Sequence, residues 1–252
     1  MPRIGFCEAR IEVDGKRLEE YGTHINDKTV STWVESDAGK QFAIVFRAVG
    51  INSSLRLGIQ MDGIALSNYI YRPERIDKNL TINSVCVGGD MFKHFLFSTM
   101  LLTDDEGLAS PNGISEDLGS LKIVVERGTS TPSERELSAT IKHLEDSPVH
   151  ERSKKVATHR ISLGKETRMK PSGRFTFIRS PDYPDPVAVF KFMYRSRSFL
   201  QAQELIPPDS PRLQPIDAKI PKEVKNEDVP SAEDVVTRRE RRKAIRRLRV
   251  RI

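Results

Sequence analysis

The sequence predicts a mainly β chain built as an antiparallel β-sandwich, and three observations carry that expectation. Ten short runs alternate apolar and polar residues with period 2, turn-forming dipeptides stand between several of them, and strands nowhere alternate with helices in a βαβ pattern. Successive side chains of a strand point to opposite faces, so alternation of this kind marks a half-buried strand. Many short strands separated by tight-turn signals argue for a sandwich or barrel, and against a doubly wound nucleotide-binding sheet.

The first run, CEARIEV, sends Cys7, Ala9, Ile11 and Val13 to one face and Glu8, Arg10 and Glu12 to the other. The same reading applies to TVSTWVES (29–36), QFAIVFRAV (41–49), LRLGIQM (55–61), ALSNYIYR (65–72) and LTINSVCV (80–87). It extends to KHFLFSTMLLT (93–103), SLKIVVERG (120–128), FTFIRS (175–180) and AVFKFMYR (188–195). Asp14-Gly15, Ala38-Gly39, Asp62-Gly63, Gly88-Gly89 and Asn112-Gly113 separate the runs and supply the positive φ angles that tight turns require.

Helices are expected in three places. In STPSERELSATIKHLEDSP, Thr131 suits an N-cap, Pro132 the first helical position and Glu134 a capping box, while Leu137, Ile141 and Leu144 line one face; this predicts a helical insertion at about 131–146. SRSFLQAQELIPP reads as a short helix stopped by Pro207. Residues 231–252 read as a basic helix: Ser231 caps it, Glu233 and Asp234 sit at the positive end of the helix dipole, and arginines crowd the negative end. Between the last two, 207–230 is rich in proline and poor in large apolar residues and is expected to be a flexible linker. The predicted organisation is therefore a sandwich domain over 1–206, a linker over 207–230 and the basic helix over 231–252.

Charge is distributed unevenly. Residues 237–252, TRRERRKAIRRLRVRI, hold nine Arg or Lys against one Glu, a local charge of +8. The whole chain carries +6, so everything before this segment sums to −2. The candidate contacts for nucleic acid or an import receptor are Arg238, Arg239, Arg241, Arg242, Lys243, Arg246, Arg247, Arg249 and Arg251. A basic-zipper reading is not expected, because the leucine heptads that would dimerise it do not follow before Ile252. Ile245, Leu248 and Ile252 form a narrow apolar stripe without Trp, Tyr or Phe, which ranks a membrane-surface role below phosphate contact.

Other chemistry is sparse. The two cysteines, Cys7 and Cys86, lack the paired spacing of a zinc site and read as free thiols in strands. His24, His94, His143, His150 and His159 form no helical i, i+4 pair, and His94 reads as a residue at the edge of the core. Asp104, Asp105 and Glu106 lack the alternating ligands of a calcium loop, and neither a nucleophile elbow nor a phosphate-binding glycine loop is present. No metal or other cofactor is therefore expected. HERSKKVATHRISLG (150–164) packs Arg152, Lys154, Lys155, His159 and Arg160 closely together; it reads either as a candidate anion-binding cluster near Ser153 or as a loop entering the strand THRISLG. No stretch has the length of a signal peptide or membrane span, so the expected location is the nucleus, with the cytoplasm as alternative.

Five motifs in order, IEVDGKRLEEYG (11–22), FLFSTMLLTDDE (95–106), DLGSLKIVVERG (117–128), HERSKKVATHRISLG (150–164) and FKFMYRSRSFLQAQELIPP (190–208), resemble a fungal, mostly basidiomycete, domain family of unknown function over about residues 5–208. The resemblance implies a β-rich domain, a sandwich, in a fungal protein, and it implies no activity. Three functional readings fit the sequence. The first is a non-enzymatic interaction or scaffold module, with a protein partner on the sandwich and the basic helix acting in the nucleus. The second is an enzyme whose site assembles only in three dimensions, which a cleft of convergent polar groups with shifted pKa values would favour. The third is a membrane-surface or ribonucleoprotein adaptor working through the tail's charge alone.

Overall fold

The computed structural model describes residues 2–75, 77–103, 117–133, 149–150, 159–169, 173 and 175–208. The chain divides into two units, Met1–Pro208 and Asp209–Ile252. The described elements all belong to the first unit; the expected linker from residue 209 onward and the basic helix lie outside the described residues.

The elements begin with β1 (Arg3–Ile4), β2 (Cys7–Val13), β3 (Lys16–Arg17), β4 (Glu20–Asn26), β5 (Thr29–Glu35) and β6 (Phe42–Ala48). Then come β7 (Ser54–Met61), β8 (Ile64–Tyr71), a short 3-10 turn (Pro73–Arg75), β9 (Leu80–Ile82), β10 (Ser84–Gly88), β11 (Met91–Thr99) and β12 (Leu102–Thr103). The series ends with β13 (Ser120–Pro132), β14 (Val149–His150), β15 (His159–Arg168), β16 (Phe175–Arg179), β17 (Ala188–Arg195) and α1 (Arg197–Ala202).

The expected mainly β architecture is what forms, as several sheets in a sandwich-like arrangement. One sheet runs β1-β2-β6-β9 with β3 on β2, another runs β10-β11-β15, and a seven-stranded sheet runs β4-β5-β17-β13-β7-β8 with β16 on β13. The first two adjoin where Gln41 bridges Leu96 and the Gly39 amide donates to the Phe97 carbonyl at 2.7 Å. Ring contacts join both to the third: Phe46 meets Tyr71 edge-on at 5.4 Å, and Phe97 meets Tyr194 at 5.2 Å. All four rings belong to one buried cluster, which takes residues from all three sheets. Large aromatic side chains dominate such a core because each removes much apolar area from water.

Turn chemistry follows the sequence. Asp14 and Gly15, and again Asp62 and Gly63, take positive φ at both positions, as in the mirror-image turns whose twist matches that of the paired strands. Gly39 and Gly89 also take positive φ, whereas Asn112-Gly113 lies outside the described residues.

Three expectations are corrected. The run 80–87 is two strands: after Asn83 the chain leaves β6 and pairs with β11. The run 93–103 begins earlier, at Met91, and breaks at Met100–Leu101 before β12. Thr131 and Pro132 do not open a helix, because the ladder to Thr176 and Phe175 of β16 carries them on as strand; the rest of the expected insertion, 134–146, lies outside the described residues. The sheets are mainly antiparallel, as expected, with β5 and β17 parallel from Thr29↔Val189 to Glu35↔Arg195 and β12 parallel to β14. The short helix before Pro207 is present as α1, with Leu200 buried.

Both cysteines are free. Cys7 is buried in β2, and burial pushes its thiol up to about 12, whereas Cys86 in β10 is partly exposed. Since thiolate and access together set reactivity, a native thiol titration is expected to modify Cys86 promptly and Cys7 only after unfolding. Equal rates for both in the native protein would contradict this packing.

Candidate functional site

Two polar constellations stand out, one sealed in the core and one open on a sheet face. The sealed one centres on Asp62, at the tip of the β7–β8 hairpin. Its Oδ1 accepts the Gly119 amide at 2.7 Å and the Tyr194 hydroxyl, and its Oδ2 accepts the Ile161 amide at 2.9 Å. The carboxylate thus ties β15, β17 and the entry to β13 to one turn. Burial pushes its pKa above the usual carboxylate range, against the lowering pull of those three donors and of the nearby Arg160 charge. The Tyr194 hydroxyl is raised well above its usual value, first by burial and then by the Asp62 charge. Beside them, Arg195 donates from Nη1 to the carbonyls of Gly119 at 2.6 Å and Tyr194 at 2.7 Å. Its guanidinium lies over Trp33 and Phe199. With both oxygens of Asp62 engaged and the group 8% exposed, this arrangement orders the core and offers substrate no approach.

The open constellation is a cleft of about 620 Å³ on the outer face of β7, β8 and β13. Alternation decides its floor: Leu55, Leu57 and Ile59 turn into the core, so Arg56, Gly58 and Gln60 turn outward. Register sets their neighbours, with Gly58 between Asn68 of β8 and Val124 of β13, and Arg56 between Ile70 and Glu126. A wall comes from β16, whose Phe175 and Phe177 line the cleft while Ile178 faces solvent. β16 is held there because β13 outruns β17: from Gly128 to Pro132 its freed edge pairs with Arg179 to Phe175 instead.

The charged side chains that line the cleft are Arg56 and Glu126. Glu126 is buried, and its carboxylate binds Arg56 through Oε2 and Arg179 through Oε1. Arg56 also lies over the Phe177 ring at 5.1 Å, and Arg72 over Phe175 at 4.3 Å. Asn68 and Gln60 make no side-chain hydrogen bond among the described residues. The strongly shifted groups Asp62 and Tyr194 are not in the lining.

The residues singled out in the sequence are dispersed. His159 opens β15, and its Nδ1 lies 2.8 Å from the Ser36 hydroxyl; burial lowers its pKa, against the Asp37 charge and the bond to Ser36. Arg160 follows on the same strand, with its charge near Asp62. Arg152, Lys154, Lys155 and the nine tail cations lie outside the described residues, as do Asp104, Asp105, Glu106 and His143. His94 is a half-buried residue of β11, as expected, and His24 is exposed on β4. Among the described residues no cluster of three His, Cys, Asp or Glu side chains could hold a metal ion, and no helix is long and apolar enough to cross a membrane.

In the sequence alone Asp62 reads as half of a turn, and Gly58, Asn68 and Glu126 do not stand out as a group. The one local signal is Gly58 itself, a glycine inside an otherwise regular strand, which often marks a close approach.

These features define a β-rich, sandwich-like domain with Asp62 and Tyr194 locked in the core and a polar cleft on one face. The chain belongs to the family described as Domain of unknown function (DUF7918), whose model matches residues 6–209. Comparison with curated proteins and with solved structures gives no match.

Proposed function

We propose that the protein is a non-enzymatic interaction module whose Arg-rich terminal segment, 237–252, serves nuclear import and sequence-independent contact with nucleic-acid phosphates. The observation that carries this reading is the division of charge: +8 within sixteen residues, against −2 for the rest. A dense cationic segment gains free energy when phosphates replace its counterions, whatever the base sequence. The sandwich is consistent with the same division, because several of its charged groups pair within the chain, Glu126 with Arg56 and Arg179, Lys191 with Asp117, and Arg197 with Glu35. The reading is further supported by Asp62 and Tyr194, whose hydrogen-bonded burial suits holding strands together better than exchanging protons with a substrate.

The test is cellular. Fluorescent fusions of the full chain and of residues 1–230 are expected to differ, the first concentrating in the nucleus and the second spreading through the cell. Identical distributions would remove the import role.

A further inference from the structure

We propose that the cleft over β7, β8 and β13 binds an uncharged, hydroxyl-rich ring, a unit of a short neutral saccharide. This goes beyond the role assigned to the terminal segment and stands on different residues.

Size comes first. A cleft of about 620 Å³ is in the range that holds a small organic ligand, and one or two sugar rings fit that range. Shape follows from Gly58. It occupies the middle of an interior strand without needing positive φ, and a Cβ there would stand 3.3 Å from Asn68 Oδ1. The missing side chain leaves the centre of the floor low and lets the Asn68 amide reach across it.

The ionic groups at the cleft are already engaged with one another. A carboxylate or phosphate would have to compete with Glu126 for Arg56 and Arg179, and a cation would have to compete with those guanidiniums for Glu126. A neutral hydroxyl meets no such competition and can share the remaining N–H donors of the pair, since an ionised partner strengthens its hydrogen bonds. Asn68 and Gln60 add side-chain amides that are uncommitted among the described residues, and each offers a donor and an acceptor. A hydroxyl is likewise both donor and acceptor, so amides and sugar hydroxyls are matched in kind. The apolar complement is the β16 wall, where Phe175 and Phe177, each with a guanidinium over one face, offer their remaining hydrocarbon surface to the C–H face of a ring.

The experiment is a titration of the isotope-labelled full chain with neutral disaccharides of differing linkage, maltose, cellobiose, mannobiose and N,N′-diacetylchitobiose, followed by amide chemical shifts. At least one is expected to give saturable shifts clustered at Gly58, Gln60, Asn68 and Phe177. Asn68→Ala and Gln60→Ala, on a solvated sheet face, are each expected to weaken binding by about tenfold, the loss of one good hydrogen bond to a ligand. Ile178→Ala, on the outward side of β16, should leave it unchanged. Absence of saturable shifts with the whole panel overturns the proposal. So do shifts that survive Asn68→Ala and Gln60→Ala together, and so does tighter binding of glucuronate, inorganic phosphate or adenosine monophosphate at the same amides.

Discussion

Asp62→Ala is expected to lower the stability of the domain by about 4 kcal/mol, because it strands two amides and a buried hydroxyl whose desolvation costs about 1–3 kcal/mol each when unpaired. For a chain of this length that corresponds to a fall in melting temperature of roughly 10 °C or more. Asp62→Asn should fall between, since one amide oxygen can keep the Gly119 and Tyr194 bonds while the NH2 group opposes the Ile161 amide. The pH dependence has a definite sign. A carboxyl whose pKa is raised on folding contributes stability that is fully present below its unfolded value, near 3.8, and is lost as pH rises through the folded value. The wild type should therefore lose, from pH 3.8 upward, an increment that Asp62→Asn lacks. Thermal unfolding followed by circular dichroism across pH measures both effects, and a melting temperature for Asp62→Ala equal to that of the wild type would contradict the role given to this carboxylate.

Gly128→Val is the second large effect. Gly128 is where β13 is flanked by Ser54 of β7 on one edge and Arg179 of β16 on the other. A Cβ at this position would collide with the Ile178 carbonyl and stand 2.7 Å from Phe177 Cζ. Backbone cannot yield as a flexible side chain does, so β16 must leave the ladder. The expected loss is on the order of 3 kcal/mol, the upper end for overpacking, together with exposure of Phe177 and disappearance of the cleft wall. Hydrogen exchange locates the damage: amides of residues 175–179 should lose protection while those of β2 and β6 keep theirs. Unchanged protection over 175–179 would show that the close approach is not what seats β16.

Strands with one buried face are legible because burial writes period 2 into the sequence, as Cys7, Ala9 and Ile11 show. β4 is not legible for the same physical reason. It is an edge strand exposed from Gly22 to Asn26, so nothing forces EYGTHIN to alternate. Parallel pairing of β5 with β17 is hidden too, since a buried strand alternates alike whichever way its neighbour runs. Turn chemistry is local, and Asp14-Gly15 and Asp62-Gly63 declare themselves. Sites are not local. The donors to Asp62 come from 57, 99 and 132 residues further along the chain, and the cleft exists only because register sets Gly58 beside Asn68 and Val124. Composition reveals the charge division directly, because a run of arginines needs no fold to be read.

That division is tested most directly by binding to duplex DNA. Fluorescence anisotropy with the full chain and with residues 1–230, repeated over a series of salt concentrations, separates the terminal segment from the sandwich. The full chain is expected to bind with log K falling linearly in log salt, by about −0.9 for each phosphate engaged and up to about −8 if all nine cations take part. Residues 1–230 are expected to show no measurable binding. Equal affinity for the two chains, or an affinity for the full chain that does not change with salt, would contradict the account.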